Sequence, residues 1–147
     1  MKLALGCDEA AYELKMIIKK HLADAGHEVN DLGCHDGAAV LYPNIAFAVA
    51  EEVTHGRAQR AVLLCGTGIG MAISANKVPG IRAAQCHDTY SAERASRSND
   101  AQIITIGARV VGPELAKAIV DKYLSSTFDG GKSQPKVDLI SKYEAEH

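Results

Sequence analysis

An α/β fold of three layers, with a five-stranded parallel sheet between two sets of helices, is the architecture this sequence predicts. Two observations lead to it. Five short apolar runs alternate with helix-compatible segments along the chain. The runs are continuous rather than alternating in polarity, as strands covered on both faces are. A third observation concerns function: cysteines, carboxylates and glycines gather just after those runs. In open parallel sheets that is the rim where ligands sit.

Lys2–Cys7 is the first strand. Leu14, Ile17, Ile18, Leu22 and Ala25 then recur at helical spacing, with Lys15, Lys19 and Lys20 on other faces and Gly26 as the stop. His27–Leu32 supplies the second strand, followed by a polar loop, Gly33–Gly37. Tyr42–Pro43 opens the second helix, with proline suited to its first turn. Ile45, Ala46, Val49 and Val53 form its buried stripe, and Gly56 ends it. Ala61–Leu64 is the third strand, and residues from Gly70 to Asn76 are helical up to the Pro79–Gly80 break. Ile81–Gln85 is the fourth strand, Asp88–Arg97 a polar helix, and Gln102–Ile106 the fifth strand. Gly112–Pro113 starts an amphipathic helix carrying Leu115, Ala116, Ile119, Val120, Tyr123 and Leu124. The order is that of a Rossmann-like fold over residues 1–127. Residues 128–147 form a turn-rich connector and a short helix, Lys136–Glu146, anchored by Val137, Leu139, Ile140 and Tyr143. Such a tail either docks on another subunit or folds back on its own domain.

With 147 residues, 47% hydrophobic and 23% charged, the chain suits one domain with a substantial core. A formal charge of −2 and the lack of a basic run argue against nucleic acid. No apolar stretch approaches transmembrane length, and the start does not resemble a signal peptide, so a cytoplasmic protein is expected. Cys7, Cys34, Cys65 and Cys86 are widely spaced, without a CxxC pair or a Cys/His cluster. That pattern favours free thiols over a disulfide framework or a metal site, and no cofactor is implied.

The richest stretch is Cys65–Gly66–Thr67–Gly68–Ile69–Gly70. Glycines at alternate positions let backbone N–H groups approach a bound group closely, and a loop feeding a helix is a natural anion site. A cysteine there feels a field that favours thiolate. As a structural thiol Cys65 needs no glycine cradle, and as a metal ligand it lacks partners; as a nucleophile or base it has both position and field. The loop matches neither the dinucleotide fingerprint nor the P-loop. Asp8 is either a functional carboxylate or a helix cap. Arg109 is either a phosphate ligand or half of a surface ion pair. His87, beside Asp88, is favoured as structural.

The chain resembles the ribose-5-phosphate isomerase B family, which includes the galactose-6-phosphate isomerase subunits. The matching stretches are Gly6–Cys7–Asp8, Glu13–Leu14–Lys15, Tyr42–Pro43, the Cys65–Gly70 loop, Ala75–Arg82, Ser98–Asn99–Asp100, Gly107–Gly112 and Gly130–Gly131. The resemblance implies a metal-free aldose–ketose isomerase acting on a sugar phosphate through a cis-enediolate. In it Cys65 is the base. Thr67 and the N–H groups of Gly66, Gly68, Ile69 and Gly70 steady the developing oxyanion. Asp8 handles hydroxyl protons, Tyr42 and Asn99 line the sugar site, and Arg109 holds the phosphate together with Lys132 and Lys136 of a neighbouring subunit. A homodimer or homotetramer with sites between subunits is implied too.

Five positions depart from the family pattern. Glu9 and Ser98 stand where the family has histidines, Leu41 where it has aspartate, and Lys132 and Lys136 where it has arginines. Ser98 takes the place of the histidine assigned to opening the sugar ring, and a hydroxyl does not shuttle protons near neutrality as imidazole does. The ribose 5-phosphate/ribulose 5-phosphate reaction is therefore joined by two alternatives. One is a substrate that needs no ring opening, erythrulose 4-phosphate/erythrose 4-phosphate, and the other a hexose 6-phosphate. Readings from other classes are a phosphocysteine carrier, whose loop is similar, and a non-catalytic sugar-phosphate-binding domain.

Overall fold

The computed structural model describes residues 1–147 throughout. Strand β1 (Lys2–Cys7), helix α1 (Tyr12–Asp24), β2 (Glu28–Asp31) and α2 (Tyr42–Thr54) come first. Then follow β3 (Arg60–Cys65), α3 (Ile69–Ala75), β4 (Ala83–Gln85), α4 (Thr89–Arg97), β5 (Ile103–Gly107) and α5 (Pro113–Leu124). Helix α6 (Gln134–Glu146) comes last. The five strands pair in parallel in the order β2-β1-β3-β5-β4. The three-layer α/β fold expected from the sequence is the one observed.

Parallel crossovers are right-handed, so the strand order dictates which helices share a face. The connections β1→β2 and β4→β5 step one way and put α1 and α4 on one side. Those from β2 to β3 and from β3 to β4 step the other way and put α2 and α3 opposite. Side-chain burial follows this division. Leu3, Leu5, Val62, Leu64, Ile104 and Ile106 pack under α1, α4 and α5. Ala4, Ala61, Leu63, Cys65 and Ile103 pack under α2 and α3. Alternate residues of one strand thus serve opposite layers, which is why the runs contain no polar face.

Several boundaries differ from expectation by one or two residues. The fourth strand is shorter, because the Arg82 N–H bonds the Gln102 side chain at 2.8 Å and pairing in β4 begins only at Ala83. Ile17 and Leu115 are partly exposed rather than core residues. Lys15 corrects the sequence reading most: it is fully buried. Its ammonium bonds Asp31 Oδ1 at 2.9 Å and the Cys34 carbonyl, tying α1 to the segment after β2.

The two ends of the sheet differ in content. The upper rim, at the carboxyl ends of the strands, carries the connections out of β1, β3 and β5, and those out of β1 and β3 diverge to opposite faces. The lower rim, at the amino ends, receives the tail. Arg60 Nη2 donates to the Ser126 carbonyl at 2.7 Å, and the Asp129 N–H to the Arg97 carbonyl at 3.1 Å. The Gly80 N–H donates to Glu144 Oε1 of α6 at 2.6 Å. Val137 is buried there, while Leu139, Ile140 and Tyr143 remain exposed. The tail is thus folded against its own domain and still presents an apolar face outward. No helix is long and apolar enough to cross a membrane.

Candidate active site

Cys65 is the last residue of β3, and its side chain faces the α2–α3 layer with 6% exposure. The chain then turns sharply through Gly68, whose φ of +78° is left-handed and favours glycine. That turn brings the Gly68 N–H to 3.1 Å from Cys65 Sγ. The loop is held from β4 and β5. Fully buried Thr105 donates its hydroxyl to the Gly68 carbonyl at 2.8 Å, and Gln85 Nε2 donates to the Thr67 carbonyl at 2.7 Å. Ala108 and Arg109 donate their N–H groups to the carbonyls of Cys65 and Gly66 at 2.8 and 3.0 Å. Thr67 and Ile69 are exposed, and the Ile69 N–H bonds Thr67 Oγ1 at 3.2 Å. Cys65 is thus seated, almost fully buried, in a fixed cradle.

Tyr42, at the start of α2, lies across Gly70; a Cβ there would come 2.5 Å from the Tyr42 hydroxyl, so only glycine leaves room for the ring. Arg109 extends from the β5 exit over Gly66, whose added Cβ would lie 3.5 Å from Arg109 Nη1. The guanidinium is exposed and forms no ion pair within the chain. The surface-pair reading of Arg109 therefore fails in the monomer.

Asp8 is a cap after all: its Oδ1 accepts the Ala11 N–H at 3.1 Å. The other carboxylate oxygen is left for something else. Burial pushes this carboxyl above the ordinary aspartate range; the Ala11 N–H opposes the shift, Glu9 adds to it and Arg109 opposes it. Glu9 is exposed and accepts the Val40 N–H at 3.2 Å, tethering the loop before α2. His87 is structural, as expected: its Nε2 accepts the Gly107 N–H at 2.9 Å, tying the start of α4 to the end of β5.

Cys65, Thr67, Asp8, Glu9, Tyr42, Gly66, Gly68, Ile69, Gly70 and Arg109 thus stand on one rim. Ser98, Asn99, Lys132 and Lys136 do not. Ser98 caps the lower end of α4, and Asn99 Nδ2 bonds the Arg94 carbonyl at 2.9 Å just before β5 begins. Lys132 and Lys136 lie in the tail, which is anchored at the same lower rim. Strands of five or six residues separate the two groups, roughly 15–20 Å. Within a single chain these four residues cannot reach Cys65. The reason is topological: they precede a strand or follow a descending helix, whereas Cys65 and Arg109 follow strands.

Three contributors escaped the sequence reading. Thr105 is the one polar residue of β5, a signal that could have marked it. Gln85 carried none. Lys15 stands off the apolar stripe in the sequence pattern, and its partner Asp31 lies sixteen residues away.

Fold and site together define a small α/β protein with a thiol-centred rim at the switch point of an open parallel sheet. A family model described as ribose/galactose isomerase matches residues 3–140. A ribose-5-P isomerase B of Listeria innocua is 54% identical over 98% of this chain and 97% of its own. A D-erythrulose-4-phosphate isomerase of Pectobacterium atrosepticum is 52% identical over 98% and 95%. The solved ribose-5-phosphate isomerase B of Clostridium thermocellum superposes with a TM-score of 0.98 at 44% identity, over 99% of both chains. The chain belongs to this family of sugar-phosphate isomerases.

Proposed function

We propose that the protein interconverts an aldose phosphate and its ketose through a cis-enediolate, with Cys65 as the base, in a site completed by a second copy. The observation that carries this reading is the Gly68 N–H 3.1 Å from Cys65 Sγ, in a loop against which Tyr42 and Arg109 pack at Gly70 and Gly66. The Cys65 thiolate takes the proton from C2 of the open-chain aldose, and the C–H electrons move into the C1–C2 bond as the carbonyl oxygen becomes an oxyanion. Thr67 and the loop N–H groups meet that oxyanion. Asp8 carries a proton between the two hydroxyl oxygens through its uncapped oxygen, and Cys65 returns the carbon proton to C1. Arg109 holds the phosphate by its two-pronged guanidinium. Ser98, Asn99, Lys132 and Lys136 of the neighbouring copy close the other side. A dimer or tetramer is therefore required for activity.

Ribose 5-phosphate/ribulose 5-phosphate is the first substrate pair. Ser98 favours a second, erythrulose 4-phosphate/erythrose 4-phosphate, because a tetrose phosphate has no free hydroxyl with which to close a ring and needs no imidazole to open one. Relatives named for the two substrates are about equally similar, at 54% and 52%. Turnover on tetrose, pentose and hexose phosphates in D2O is the test. Deuterium appears in the product with the parent protein and not with Cys65→Ala. Turnover that survives Cys65→Ala removes the cysteine base, and a clear preference for ribose 5-phosphate removes the tetrose reading.

A further inference from the structure

The lower rim contains one corner that is more tightly tied than its partial exposure requires. Arg82, just before β4, sends its guanidinium under the turn that follows α4. Its Nε donates to the carbonyls of Asn99 at 2.9 Å and Asp100 at 3.2 Å, and its Nη2 donates to the Asp100 carbonyl at 2.7 Å. Nη2 also lies 3.4 Å from Asp100 Oδ2. Asp100 needs such a clamp, because with φ +47° it is the one non-glycine residue in the left-handed region. A turn held in that strained form persists only where its surroundings over-determine it.

The same corner reaches the tail. The Arg82 N–H bonds Gln102 Oε1 at 2.8 Å, Gln102 Nε2 bonds the Gly80 carbonyl at 2.8 Å, and the Gly80 N–H bonds Glu144 of α6 at 2.6 Å. The Ser98–Asp100 turn and the tail helix, the two segments that one copy offers its neighbour, are therefore hung on residues 80–82. Neither segment touches the upper rim of its own chain. Order at this corner serves nothing in the same chain's site.

We infer that Arg82 is a positioning residue that acts in trans: it holds the Ser98–Asp100 turn in the shape that completes the neighbouring copy's active site. This rests on the two-copy site proposed above. Loss of the fork lets Asp100 leave its left-handed conformation and shifts Asn99, and a misplacement of about 1 Å at a site of this kind costs about a hundredfold in rate. Lysine keeps the charge but not the fork, so Arg82→Lys falls between the parent and Arg82→Ala.

The test is complementation between inactive partners, co-expressed with different tags and isolated as mixed oligomers. Cys65→Ala lacks the base but keeps a sound lower rim; Arg82→Ala keeps the base but lacks a sound turn. In a two-fold pair, one of the two sites of each mixed oligomer takes both parts from sound halves, so the isolated mixed oligomers regain about half of parental kcat/KM. If Arg82 acted on its own chain, the base-bearing site would stay impaired. No recovery there, with recovery in the control mixture of Cys65→Ala and Asn99→Ala, overturns the role of Arg82 alone. No recovery in the control overturns the two-copy site itself. An Arg82→Ala protein with parental kcat/KM also overturns the proposal. Should Arg82→Ala not fold, Arg82→Lys goes through the same mixing and reads the same way.

Discussion

The upper and lower rims of this sheet are built by different physics. At the upper rim, side chains with chemical capacity are held by hydrogen bonds to neighbouring strands: Thr105 and Gln85 on the cysteine loop, and Lys15 and Asp31 on the segment beside β1. At the lower rim the same kind of care is spent on a turn and a tail with no chemistry within reach, through Arg82, Gln102 and Glu144. A stable domain does not need that precision at its amino-terminal end. The difference is what the proposed two-copy site requires, in which each rim is ordered for a surface it does not itself own.

The sharpest way to break the comparison is at Cys65. Cys65→Ala lowers kcat by about 10²–10⁴-fold, the range for removing a general base, with no change in thermal midpoint. Steady-state turnover and a melting curve check both parts. Turnover near the parental rate instead removes Cys65 as the base and empties the upper rim of its function.

Next in size is the buried pair beneath that rim. Asp31→Asn leaves the Lys15 ammonium buried without its counter-charge and lowers stability by about 3 kcal/mol. Burial acts to raise the Asp31 carboxyl, but bonds from Lys15, the Gly33 N–H and Lys19 outweigh it and hold the group below its ordinary value of 3.8. Its contribution is therefore fully present above that value and lost as pH falls through the depressed one. Melting temperatures from neutral pH into acid fall less steeply for Asp31→Asn than for the parent. An unchanged acid slope contradicts the assignment.

Arg109 and Thr105 give smaller effects. Arg109→Ala removes a charged hydrogen-bonding group worth about 1.5–3 kcal/mol, so KM for a sugar phosphate rises by about tenfold or more while kcat changes less. Thr105→Val keeps the shape but removes the hydroxyl bond to the Gly68 carbonyl, which is then held by the Ala72 N–H alone. It lowers kcat with little change in KM, and it slows alkylation of Cys65 by iodoacetamide because the N–H facing the sulfur is no longer fixed. Equal effects on the reactivity of all four thiols make Thr105 merely structural.

Much of this was legible in the sequence. The five strands are visible because continuous apolar runs have little else to be in a chain of this size. The cysteine loop is visible because its glycines have no reason to alternate in a simple strand-to-helix turn. Lys15 was not, since periodicity describes a helix face and not a carboxylate brought in from β2. The proposed split site is the instructive case. Resemblance to a family named Ser98, Asn99, Lys132 and Lys136 without saying where in one chain they stand. Strand direction already held that answer: Ser98 and Asn99 come just before the fifth strand and Cys65 just after the third, so they belong to opposite ends. Arg82 was hidden for another reason: its partners are backbone carbonyls, which leave no trace in residue identity.

The claim that one copy's lower rim completes the other's upper rim has a direct measurement. Ser98→Cys is treated with a short thiol-to-thiol cross-linker, alongside Ser98→Cys/Cys65→Ala. Within one chain the two sulfurs stand at opposite ends of the sheet, beyond the reach of such a reagent. The expected result is a covalent dimer on a denaturing gel with Ser98→Cys, lost in the double variant and suppressed by a sugar phosphate in the site. A chain that stays monomeric on that gel, in a preparation that is active and oligomeric in solution, contradicts the shared site.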